Sequence, residues 1–320
     1  MNTEKKKLVV IALGGNAIKQ AHEKGTAEEQ FKNVEITCEQ LVKMNAIGYK
    51  LIITHGNGPQ AGTLLIQQEE GKNLVPAMPM DIVGAMTQGQ IGYMFQNTLQ
   101  NYFMQKGKTI PITTIVTQVL VKEDDPDFND PSKPVGPFYT EEEAMKLKEE
   151  KGYIVKLVKP NVDKPWRRVV PSPEPIKIVE SNCVQALVDA HAIVIASGGG
   201  GIPVMKKSDG TLTGLEAVID KDKAGNVLAQ EVNADIYLIL TDVENAKINF
   251  GKPEEKPLGK ITVAEAEKYL AEGHFLAGSM GPKVTAAIRF VKSGGEKSII
   301  TSLSNAVDAL DGKSGTIIVK

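Results

Sequence analysis

Apolar residues in this chain come in short unbroken runs, several of them stopped by glycine, with stretches of helical spacing between them. Residues 8–13, Leu-Val-Val-Ile-Ala-Leu, end at Gly14-Gly15-Asn16, and residues 51–54 end at His55-Gly56-Asn57-Gly58-Pro59. Runs of this length, rich in β-branched residues and lacking polar alternation, predict strands buried on both faces of a parallel sheet. Between them Thr26 and Glu29 have the spacing of a helix capping box. Phe31, Val34, Cys38, Leu41 and Val42 then recur on one helical face, and Gly48 stands where a helix would stop. The unit reads strand, helix, strand. Further apolar runs at 110–121, 192–196, 236–240 and 298–300 repeat the alternation, so the expected fold is an open α/β sheet covered by helices on both faces.

Two stretches depart from this rhythm. Residues 122–175 hold nine of the 17 prolines among many charges, which is incompatible with central strands and predicts an excursion from the main sheet. Its stiff segment Ser132-Lys133-Pro134-Val135-Gly136-Pro137-Phe138-Tyr139 is expected to form a lid over a site. Residues 81–105 read as a helix in which Gly84, Gly89 and Gly92 lie beside Met86, Tyr93 and Phe95, a pattern suited to close helix packing or a subunit interface.

Composition narrows the functional classes. The net charge of −2 leaves no basic field for nucleic acid, and no segment is long and apolar enough to span a membrane. The apolar run at 8–13 is too short for a signal sequence. Cys38 and Cys183 are far apart and lack metal-ligand spacing, which points to a reducing, cytoplasmic setting without disulfides. His22, His55, His191 and His274 are isolated, and no protein-held metal is expected.

Three glycine-rich turns follow strands: Gly14-Gly15-Asn16, Gly56-Asn57-Gly58 and Gly198-Gly199-Gly200-Gly201. One such turn is ordinary. Three at the strand ends of a single sheet would make a cradle of backbone N–H groups for a phosphate. The P-loop spacing, the dinucleotide fingerprint, the protein kinase signatures and the nucleophile elbow are all missing from the sequence. Lys133, Lys221, Asp222 and Lys283 are the candidate charge-handling residues, since phosphoryl transfer needs cations and N–H donors around the moving group more than it needs covalent chemistry.

In order along the chain stand Ala-Leu-Gly-Gly-Asn-Ala (12–17), His-Gly-Asn-Gly-Pro-Gln (55–60), Lys-Pro-Val-Gly-Pro-Phe-Tyr (133–139) and Arg-Arg-Val-Val-Pro-Ser-Pro (167–173). Gly-Gly-Gly-Gly-Ile-Pro-Val (198–204), Glu-Ala-Val-Ile-Asp-Lys-Asp (216–222) and Gly-His-Phe-Leu-Ala-Gly-Ser-Met-Gly-Pro-Lys (273–283) follow. With these motifs the chain resembles the amino acid kinase family and, within it, the carbamate kinases, along essentially its whole length.

The resemblance implies a three-layer αβα sandwich with an open, mostly parallel central sheet and a small protruding subdomain at about 122–168. Residues 1–203 would form an acceptor lobe and 204–320 a nucleotide lobe. It implies a cytoplasmic homodimer that exchanges ATP and carbamate for ADP and carbamoyl phosphate, with Mg²⁺ arriving on the nucleotide, in fermentative breakdown of arginine. Gly14, Gly15, Asn16, Gly56, Asn57, Gly58, Gly199 and Gly200 would bind the acceptor and the moving phosphoryl. Lys133 would reach down from the subdomain, Lys221 and Lys283 would neutralise phosphate charge, and Asp222 would hold those two lysines apart. Thr241, Asp242, Ala277, Gly278, Met280 and Gly281, with Lys221 and Lys283, would line the nucleotide pocket.

Ala12 stands where many members of the family place a lysine, so Lys221 is expected to supply the missing charge. Lys223 occupies a position where an apolar residue is expected. Two other readings are carried: a kinase for a different small acid, recognised by a side-chain-sized acceptor pocket, and a non-catalytic sensor, which would not need the four charged residues.

Overall fold

The computed structural model describes residues 6–276 and 279–320. Its centre is an eight-stranded sheet in the spatial order Lys260–Thr262, Thr316–Val319, Lys297–Ser302, Ile236–Thr241, Leu8–Leu13, Lys50–His55, Ile193–Ile195, Ile112–Thr114. The inner strands pair in parallel, and the direction reverses once, between Lys297–Ser302 and Thr316–Val319. All six residues of Leu8–Leu13 are buried. That explains the run without polar alternation: both faces of this strand are covered.

Alternate side chains feed two cores. Val10, Ala12, Ile52 and Ile239 pack with Ala224, Leu228, Val284 and Phe290 from helices Lys221–Glu231 and Met280–Lys292. Val9, Ile11, Leu13 and Ile53 face the other way, onto Val34, Cys38, Leu41, Phe95 and Leu99 from helices Ala27–Ala46 and Met80–Gln105. The result is the expected helix–sheet–helix sandwich. The Thr26–Glu29 capping box forms in full, and Gly48 follows that helix with φ +109°.

The run at 110–121 is not one strand. It divides into Ile112–Thr114, at the edge of the main sheet, and Gln118–Leu120, in a separate four-stranded sheet. Between them the buried Thr117 turns to the Gln88 side chain: its N–H donates to Oε1 at 2.8 Å, and its carbonyl accepts from Nε2 at 3.1 Å as well as from the Ile202 amide at 2.9 Å. Because Gln88 takes the Thr117 N–H in place of a strand partner while the chain stays buried, hydropathy carries no mark of the break.

Residues 122–175 contribute nothing to the main sheet. They carry a three-stranded antiparallel sheet in the order Lys133–Tyr139, Trp166–Val170, Val155–Leu157, with helix Glu141–Lys151. Gln118–Leu120 and Lys177–Ile178 pair antiparallel at its base, Val119 opposite Ile178, so the chain leaves and returns side by side. In helix Met80–Gln105, Gly92 admits the Thr114 side chain, which would lie 2.2 Å from an added Cβ.

Candidate active site

The strand ends of Leu8–Leu13, Lys50–His55 and Ile236–Thr241 converge at the glycine turns. Gly14 and Gly56 use their own amides to finish the sheet, donating to Leu240 O at 3.2 Å and Leu13 O at 3.1 Å. The amides that the sheet does not use come one and two residues later. Gly15 and Asn16 open a single 3₁₀ turn and Gly58 opens helix Gly58–Gly71, where first-turn amides have no acceptor within the helix. Asn57 is anchored by donating Nδ2 to Thr87 Oγ1 at 2.9 Å. Gly199, at φ +64°, packs directly against the Asn57 amide, and an added Cβ would come within 2.2 Å of it. Gly200 is buried behind this contact and lies off the cavity surface.

Helix Lys221–Glu231 starts where these turns meet. Asp220 caps it, its Oδ1 accepting from the amides of Asp222 at 2.9 Å and Lys223 at 3.3 Å. Asp222 then bridges two cations: Lys221 Nζ lies 2.5 Å from Oδ1 and Lys283 Nζ 3.0 Å from Oδ2. The Asp222 side chain is 3% exposed and the two lysines 15% and 16%. Burial, the strongest single influence, pushes the Asp222 carboxyl up, but the two ammonium groups together outweigh it and hold it below the ordinary carboxylate value. It stays an anion and offsets the repulsion between the lysines.

From beneath, Tyr237 donates its buried hydroxyl to the Asp222 carbonyl at 2.8 Å. The helix can sit that close to the strand because position 225 is glycine, where an added Cβ would stand 2.7 Å from Tyr237 Oη. Lys223 also finds its reason. Its ammonium pairs with Glu174, whose other oxygen accepts from Arg289 at 3.0 Å, so one carboxylate ties the two lysine-bearing helices together.

Two cavities meet at the pair of lysines. One, of about 540 Å³, is lined by Gly56, Asn57, Gly58, Lys133, Arg167, Gly199, Asp220, Lys221, Asp222 and Lys283. The other, of about 640 Å³, is lined by Gly14, Gly15, Asn16, Lys221, Thr241, Asp242, Ser279, Lys283, Ser302 and Ser304. A side pocket of about 200 Å³ continues from Thr241 and Asp242 to Val243, Phe250, His274 and Met280. Gly14–Asn16 thus share a cavity with Thr241 and Asp242, and Gly56–Gly58 share theirs with Lys133. Lys221 and Lys283 are common to both.

Lys133 projects from the three-stranded sheet, its Nζ 3.5 Å from Asp220 Oδ2. Gly281 is buried, its Cβ position 3.0 Å from Leu276 O, which makes it a packing residue. Ala277 and Gly278 lie outside the described residues. Asp220, Arg167, Ser302 and Ser304 also line these cavities, though no sequence argument singles them out as site residues. Asp220 had a local signal, since an aspartate just before a helical segment is an N-cap; the two serines had none.

A chamber on each side of two fixed ammonium groups, each walled by a glycine turn, suits a phosphoryl group passing between two small ligands. The chain matches the amino acid kinase family over residues 7–302. It is 56% identical to a carbamate kinase of Thermococcus kodakarensis, over 98% of this chain and 99% of that one. A carbamate kinase of Clostridium perfringens is 46% identical over 98% of this chain and 99% of its own length. Among solved structures, a carbamate kinase from Giardia lamblia bound to AMP-PNP superposes with a TM-score of 0.94 at 47% identity, covering 98% of this chain and 99% of that one. With the sheet, the paired lysines and these relatives in agreement, the chain belongs to the amino acid kinase family, with carbamate kinases as its near relatives there, and is a phosphotransferase.

Proposed function

We propose that the chain is a carbamate kinase, moving a phosphoryl group reversibly between ATP and carbamate. The observation that carries this is the Lys221–Asp222–Lys283 bridge on the boundary between two cavities, one amide-lined and small-ligand sized, the other extending into the Thr241–Met280 pocket. In this reading residues 1–203 serve the acceptor and 204–320 the nucleotide, which brings Mg²⁺ with it. A carbamate oxygen attacks the γ-phosphorus as the bond to the ADP oxygen breaks. The reverse step returns the phosphoryl to ADP and frees carbamate. The attacking oxygen is already anionic, so no general base is needed. Lys221 and Lys283 meet the charge of the phosphoryl group in transit, and Lys133 covers the acceptor side.

Carbamate breaks down to ammonia and CO₂, which favours running the reaction toward ATP, in a cytoplasmic, fermentative use of arginine. A homodimer fits the exposed apolar stripe Ile82, Met86 and Tyr93 on helix Met80–Gln105. The test is ATP formation by the purified protein from MgADP and carbamoyl phosphate, with acetyl phosphate as the control donor. Rapid ATP from carbamoyl phosphate alone is expected; equal rates with both donors, or none with either, would overturn the assignment. Light scattering at micromolar concentration should report twice the mass of one chain.

A further inference from the structure

The two acids of the Lys133 cleft are not equivalent. Both oxygens of Asp222 are held by Lys221 and Lys283. Asp220 divides its carboxylate: Oδ1 is occupied by the amides of Asp222 and Lys223, while Oδ2 faces Lys133 across 3.5 Å. The cap fixes Asp220 to the start of the helix that carries Lys221, and its side chain is 21% exposed. Lys133 is less constrained. It stands on the protruding sheet, is 44% exposed, and approaches Asp220 at an ion-pair distance longer than a direct charge-assisted hydrogen bond. Such a pair is strong enough to set a resting position and weak enough to be displaced by an anion of higher charge.

We propose that Asp220 is a positioning residue that parks the Lys133 ammonium over the cleft between turnovers and yields it to the phosphate of the acceptor-side ligand. The caged carboxylate does two things at once. It brings the subdomain's cation to within one side-chain movement of the site before any ligand arrives. It also competes with the bound phosphate for that cation, lowering affinity in favour of release. This rests on the carbamate kinase reading for the identity of the ligand, but not for the existence of the resting pair.

Asp220→Asn keeps the capping oxygen and removes the charge. At saturating MgADP its KM for carbamoyl phosphate is expected to fall about two- to five-fold, the range of a partly exposed ion pair, with the melting temperature unchanged. In a Lys133→Met background the same substitution should leave KM where it was. Pulse labelling of the ligand-free protein with acetic anhydride, read by mass spectrometry at Lys133, should rise about two- to five-fold in Asp220→Asn by the same pair energy. Asp220→Ala also loses the cap and should melt about 2–4 °C lower.

An unchanged or raised KM in Asp220→Asn, an equal fall in the Lys133→Met background, or unaltered labelling would each overturn the proposal. Absence of ATP formation from carbamoyl phosphate by the wild type would instead defeat the functional reading. The labelling needs no substrate and still decides the role of Asp220.

Discussion

The central sheet and the protruding subdomain supply cations to the same cleft by opposite physical means. Lys221 stands on a helix seated on fully buried strands, its ammonium bound to a carboxylate that is itself 3% exposed. Lys133 stands on a sheet whose strand is only half-buried. The subdomain is tied to the body by ion pairs of Lys151, at the end of its helix, with Glu69, and of Arg168 with Glu216 and Lys133 with Asp220 from its sheet. Burial fixes the first half of the site, whereas solvent-screened charges latch the second. On the proposed function the difference separates two tasks: stabilising a transition state needs groups that do not reorganise, and admitting and releasing a ligand needs one that does.

The deepest break in this comparison is Asp222→Ala. Two lysines left facing each other in a poorly solvated site should cost about 3–5 kcal/mol, read by urea unfolding. In the intact protein the Asp222 contribution is fully present above the ordinary carboxylate pKa of 3.8 and is lost as pH falls through its lowered native value.

Next in size, Lys221→Ala or Lys283→Ala should lower turnover about 10²–10³-fold with the fold intact by circular dichroism. Full activity in either variant would remove that lysine from the mechanism.

The fixed half should also show a pH signature. His55 is buried, its Nδ1 2.9 Å from Gly56 O, and desolvation, with a smaller push from Lys221, lowers its pKa from 6.5 to about 4. As pH drops from about 6.5 to 4 the unfolded chain takes up a proton that the native one refuses. Stability from this residue is therefore whole above 6.5 and declines through that window, by about 3 kcal/mol in total. His55→Gln should flatten the decline measured by denaturant midpoints at pH 7 and pH 5.

On the latched half, Lys133→Ala should raise the KM for carbamoyl phosphate about tenfold, the worth of a charged hydrogen bond, and leave that for MgADP alone. Equal losses for both ligands would make Lys133 structural. The smallest effect is expected at Arg168–Glu216, where a double-mutant cycle should give about 0.2–1 kcal/mol that shrinks in high salt.

The same division explains what the sequence disclosed. The strands at 8–13 and 51–54, the Thr26 cap and the proline-rich departure were readable because each rests on local chemistry: apolar run length, a side-chain cap, a missing N–H. The break at 115–117 was not, because it depends on Gln88, on a helix remote in sequence, taking the Thr117 N–H and sharing its carbonyl with Ile202. The oddity of Lys223 was visible and its cause was not, since Glu174, itself shared with Arg289, reaches it from a distant part of the chain. The glycine turns pointed to anion binding, but only the fold could show that the Gly14 and Gly56 amides serve the sheet and that the residues just after them line the cavities.

The base of the protruding subdomain has a consequence for how the chain could change over time. Gln118–Leu120 and Lys177–Ile178 run side by side, so everything between them forms a cassette with adjacent ends. A segment attached in this way can be lengthened, shortened or exchanged between relatives at a single seam without altering the register of the strands that position Lys221. The cavity wall bearing Lys133 and Arg167 is therefore carried on one segment, whereas Gly56–Gly58, Lys221 and Lys283 belong to the body, and a graft of that segment that keeps Glu174 is the natural unit for altering the first while keeping the second.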